Sequence, residues 1–121
     1  MIKQSEAAAL VGSSVTQQDS GHICLWSGAS GGSLNVEVFA PGIDPKVTVR
    51  SGQACNFGAP SSVSVGDVAV YCGAPPATGS GITFAKGGLL VQLACNPGSS
   101  STAPCDKNSF VAAAQTAAGR L

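Results

Sequence analysis

Apolar and polar positions alternate most cleanly in the first third of the chain. Leu34, Val36 and Val38 alternate with Asn35, Glu37 and Phe39, the period-two signature of a half-buried strand. Ile23-Cys24-Leu25-Trp26 is a second β-like run just upstream, and Gly28-Ala29-Ser30-Gly31-Gly32 connects the two. This arrangement predicts a hairpin. Val68-Ala69-Val70-Tyr71-Cys72 predicts a further strand after the Val65-Gly66-Asp67 turn. Ile82-Thr83-Phe84-Ala85 and Leu89-Leu90-Val91-Gln92-Leu93 flank Lys86-Gly87-Gly88, which predicts a second hairpin. Val47-Thr48-Val49 predicts one short strand beyond the Pro41-Gly42 and Asp44-Pro45 breaks. Residues 13–21, 51–62, 73–81 and 95–105 read as loops, rich in Ser, Gly, Pro or polar side chains.

The two ends carry helical spacing instead. Residues 3–11 predict a short helix with Leu10 and Val11 as its apolar face and Gly12 as its stop. Glu6 stands where a capping box would place its acid, but Lys3 occupies the position of the Ser or Thr such a box needs. Near the C-terminus, Asp106 caps a helix in which Phe110, Val111, Ala114, Ala118 and Leu121 share a face. Helix, hairpin, strands, hairpin, helix predict an α+β class. The expected architecture is a single domain over residues 1–121, an antiparallel sheet of about five strands with the N- and C-terminal helices packed on one face.

Composition changes the picture of what holds this together. Apolar residues make up 44% of the chain but aromatic ones only 5%, so the core is thin and cross-links would strengthen it. Five cysteines occur: Cys24, Cys55, Cys72, Cys95 and Cys105. Their spacing contains no C-x-x-C, and one histidine cannot complete a mixed zinc site. Disulfides are the expected use, and with them an extracytoplasmic address in the periplasm, cell envelope or exterior. Cys95 with Cys105, bracketing a loop of nine residues, is the first expected pair, and Cys55 with Cys72 the second. Cys24 across to Cys72 competes with it; otherwise Cys24 is the unpaired, buried thiol. No export signal is visible at Met1-Ile2-Lys3, which leaves a cytosolic protein or a trimmed mature domain, and the cysteines favour the second.

Charge is sparse, with six basic and six acidic residues and a net charge of zero. Without a cluster of Lys or Arg to neutralise phosphates, nucleic acid is not an expected partner. No apolar run is long enough for a transmembrane helix.

No catalytic set is expected. Gly28-Ala29-Ser30-Gly31-Gly32 has the form G-x-S-x-G, but a nucleophile elbow requires a helix after it and here a strand follows. His22 is the one histidine, with Asp19 nearby and no convincing nucleophile. Asp19, Asp44, Asp67 and Asp106 are scattered, which argues against a calcium loop or paired carboxylates. For Asp67 the expected role is acceptance of backbone N–H groups in a turn. Phe39 breaks the inward alternation of its strand and Phe57 lies in a loop. These two rings are the candidate partner patch.

Several short motifs together resemble a known group. They are Lys3-Gln4-Ser5-Glu6-Ala7-Ala8-Ala9-Leu10-Val11-Gly12, Cys24-Leu25-Trp26, Val65-Gly66-Asp67-Val68-Ala69 and Ile82-Thr83-Phe84-Ala85-Lys86-Gly87, with a closing Ala-rich helix. In this order they resemble small bacterial extracytoplasmic domains of unknown function, many of them lipoproteins, whose fold is similar to the PsbP-like superfamily. The resemblance implies a sheet with helices on one side and no defined activity. Residues 43–62 depart from it, since a helix is implied there and the chain supplies Pro, Gly and Ser. The expected function is therefore non-enzymatic binding of a protein, a peptide or a small apolar ligand, with no cofactor. The alternative is a small hydrolase-like or thiol-redox enzyme using His22 or a free cysteine.

Overall fold

A computed structural model of the chain describes residues 2–11, 14–21, 23–29, 31–40, 42–50, 61–73, 80–96 and 107–121. Helix α1 (Gln4–Val11) begins with half of a capping box: the Glu6 carboxylate accepts the Lys3 backbone N–H at 2.8 Å although Lys3 offers no hydroxyl in return. Ala7, Leu10 and Val11, at helical spacing, are its buried face. Three strands follow as a meander, β1 (Val15–Ser20), β2 (Ile23–Gly28) and β3 (Ser33–Phe39). Helix α2 (Pro45–Arg50) leads to the two-residue β4 (Ser61–Ser62). A second meander of β5 (Val68–Gly73), β6 (Ser80–Lys86) and β7 (Leu89–Asn96) precedes helix α3 (Lys107–Gly119).

All pairings are antiparallel, in the order β1-β2-β3-β7-β6-β5-β4. The chain thus leaves β3, crosses to the far edge, and returns strand by strand until β7 closes against β3. The class is α+β with helices at both ends, as expected, but the sheet has seven strands rather than about five. Two elements account for the difference. β1 lies within a stretch that reads as loop, because its residues Thr16, Gln17, Gln18 and Asp19 are polar and exposed at a sheet edge. β4 is too short to leave a pattern.

A second correction concerns Val47-Thr48-Val49, which is helical and not a strand. β-branched side chains argue for a strand, yet the helix start is fixed by its cap. The Asp44 Oδ1 accepts the Lys46 N–H at 3.0 Å, and Pro45 fills the first helical position.

Alternation divides the sheet into two faces. On one, Leu34, Ile82, Phe84 and Val91 meet Leu10 of α1 and Phe110 of α3 in a single large cluster. On the other, Val49 of α2 covers Ala85 and Leu90. Gly66 stands in the left-handed region (φ 58°), and a Cβ there would come within 2.6 Å of the Ala85 carbonyl oxygen. This close approach holds the turn before β5 against β6. Asp67 completes it: its N–H donates to the same carbonyl at 2.8 Å and its carboxylate accepts the Gly87 N–H at 2.9 Å.

Candidate functional site

Helix α1 packs on β1, β2, β3 and β7, and α3 on β6. Together they leave one corner of their face uncovered. Cys24 and Trp26 from β2, Val36 and Val38 from β3, and Gln17 and Asp19 from β1 point to that side by the strand register. Ile2, ahead of α1, closes one wall. The result is a cleft of about 250 Å³. Small-molecule and cofactor pockets usually span roughly 300–1,000 Å³, so this one suits an apolar side chain or a single small ring.

Its floor is apolar and its rim polar. Trp26 is 4% exposed and its Nε1–H has no acceptor among the described residues. Cys24 is a half-buried free thiol whose sulfur accepts the Gln17 Nε2–H at 3.0 Å. Asp19 lies opposite Cys24 in the β1–β2 register. Among the described residues no cation lines the cleft, and no group of three His, Cys, Asp or Glu side chains gathers anywhere.

Of the sites expected from sequence, Cys24 lines the cleft, and the other described ones lie away from it. Cys72 and Cys95 are disulfide-bonded. They occupy β5 and β7, with β6 between them, and lie on opposite faces: Cys95 in the large cluster, Cys72 on the side of Val68 and Val70. Neither can therefore reach the other. Cys55, Cys105, Phe57, His22, Ser30 and Asp106 lie outside the described residues. Phe39 ends β3 half-buried against the Val49, Ala85 and Leu90 cluster. The Gly28–Gly32 connection joins two strands, β2 and β3, with the Gly28 N–H donating to the Gly32 carbonyl at 2.8 Å.

The cleft residues Ile2, Gln17, Asp19, Val36 and Val38 were missed as a site because their convergence depends on β1. One local signal for β1 exists in the sequence. Ser20-Gly21-His22-Ile23 places a Gly, at φ 65°, in a two-residue connection between β1 and β2.

Neither a protein-family model, nor a curated protein, nor a solved structure matches this chain.

Proposed function

We propose that the chain is a non-enzymatic, extracytoplasmic binding domain that takes the apolar part of a protein, peptide or small ligand into the β1–β2–β3 cleft. The observation that carries this reading is the cleft itself, where Cys24 and Val38 stay only partly buried above Trp26 and Val36 on the face that α1 and α3 otherwise fill. The free thiol of Cys24 sits in that floor beside an amide, a carboxylate and apolar side chains. Reactive thiols are ordinarily activated by a neighbouring cation, histidine or helix N-terminus; among the described residues none of these lines the cleft, which favours binding over thiol chemistry.

The address rests on the cysteines. With Cys24 free and Cys72 and Cys95 bonded on opposite faces, we propose the pairs Cys95–Cys105 and Cys55–Cys72. Cys105 stands two positions before the start of α3 in sequence, and α3 packs on the Cys95 face; Cys55 follows α2, which packs on the Cys72 face. A cross-link closing the short 95–105 loop contributes about 2–3 kcal/mol. The motifs resembling small bacterial extracytoplasmic domains favour the same compartment.

Cys24 supplies the test. Indole, an apolar ring of the right scale, is expected to slow alkylation of Cys24 by N-ethylmaleimide in the oxidised protein. An alkylation rate indifferent to saturating indole removes the cleft as a binding site. Non-reducing peptide mapping checks the pairs; a fragment joining Cys24 to any other cysteine refutes them.

A further inference from the structure

The cleft opens beside the β1 edge of the sheet, where among the described residues part of the backbone is left without a strand partner. The Ala29 N–H donates to the Ser14 carbonyl at 3.0 Å, across the β1–β2 register. In an antiparallel ladder, residues facing the partner alternate with residues facing away. Ser14, Thr16, Gln18 and Ser20 therefore face β2, and Val15, Gln17 and Asp19 face outward. The Val15 carbonyl is taken by the Gln4 Nε2–H at 3.2 Å. The N–H and C=O of Gln17 and Asp19 remain, and among the described residues no strand pairs with this edge. These same two residues have their side chains on the cleft face.

We infer that the ligand of the cleft is an extended, apolar-alternating peptide segment of another protein, added to the sheet as a strand beside β1. This rests on the cleft being a binding site and names what fills it. Strand addition draws its affinity from main-chain hydrogen bonds and its specificity from pockets that take alternate side chains. A ligand residue paired with Gln17 or Asp19 projects to the cleft face, because paired residues in neighbouring strands share a face. From there a long apolar side chain leans over Gln17 and Asp19 toward Cys24 and Trp26, their register partners on β2. A second copy of this chain fits less well. Two β1 strands paired with each other would offer only Val15, Gln17 and Asp19 to that face, mostly polar groups over an apolar floor. β1 carries no Pro and no Lys, and Asp19 is its one charged guard against pairing.

The test uses capped hexapeptides alternating Thr with Leu, Val or Phe, together with analogues N-methylated along the backbone. The readouts are hydrogen exchange at the Gln17 and Asp19 amides and alkylation of Cys24, in the oxidised full chain. The expected result is that at least one unmodified peptide slows both, and that its N-methylated analogue, with the same side chains, loses the effect on both. Slower alkylation with unchanged β1 exchange overturns strand addition but leaves the cleft as a binding site. No effect from any peptide, while indole still protects Cys24, does the same. Failure of indole as well removes the cleft reading on which the inference stands. Protection of the β1 amides without peptide, in a chain that sediments as a dimer, assigns the edge to a second copy and overturns the peptide.

Discussion

In the middle of the sheet, Ile82, Phe84 and Val91 are fully buried under α1 and α3. At the β1 corner of the same face, Cys24 and Val38 are only partly buried, and the edge presents exposed Gln17 and Asp19. The two regions share one fold and one face but answer to different demands. In the middle, every side chain has a helix or strand against it, and substitution leaves a void that neighbours cannot fill. At the corner, water or a ligand is the neighbour, and the side chains there are set by what approaches. Packing density thus separates what holds this molecule together from what it offers to others.

The sharpest break between the regions is a large-to-small change at each. Phe84→Ala is expected to lower unfolding free energy by about 3–5 kcal/mol, the range for a fully buried ring. Urea unfolding measures it, and a loss like that of a surface substitution would mean the middle is not the packed region described. Next comes the turn that clamps β5 to β6. Gly66→Ala brings a Cβ against the Ala85 carbonyl at a positive φ, with an expected cost of about 1–3 kcal/mol, visible as a lowered urea midpoint with unchanged slope.

Cys24→Ala, at the corner, is expected to cost about 1 kcal/mol or less while altering access to the cleft. A loss equal to that of Phe84→Ala would erase the contrast.

The smallest effect joins the chain's two ends. Arg120 holds the Glu6 carboxylate at 2.7 and 3.1 Å, and that hydrogen bond, with the Lys3 N–H behind it, keeps the Glu6 pKa below its ordinary 4.5. A carboxylate with a lowered folded pKa adds stability above the unfolded value and loses it as pH falls through the folded one. Glu6→Gln is therefore expected to be slightly less stable than the parent at pH 7 and to converge with it in acid, below about pH 4.5. Thermal melts across pH check the sign; a gap that widens on acidification contradicts the pairing.

Much of the sheet was legible in the residues. Leu34, Val36 and Val38 alternate, and Lys86-Gly87-Gly88 breaks two apolar runs, so both hairpins follow from short-range pattern. Each needs only one turn and two neighbouring strands. The turn role of Asp67 was legible for the same reason. α2 was not, because Val47, Thr48 and Val49 speak for a strand while the cap at Asp44-Pro45 and the seat of Val49 on Ala85 and Leu90 decide for a helix. The cleft was not legible either, since Ile2, Gln17, Cys24 and Val38 are distant in sequence and polar β1 has no hydrophobic period to announce it.

What the sequence determined by itself was local. Period-two runs, glycine turns and helical spacing each bury a face against whatever comes next, and they need no knowledge of the partner. The tertiary structure alone decided that β7 returns to β3, that Cys72 and Cys95 stand on opposite faces, and that one corner stays uncovered. Those outcomes depend on how far each helix reaches across a seven-stranded sheet, and reach is a property of the assembled layers.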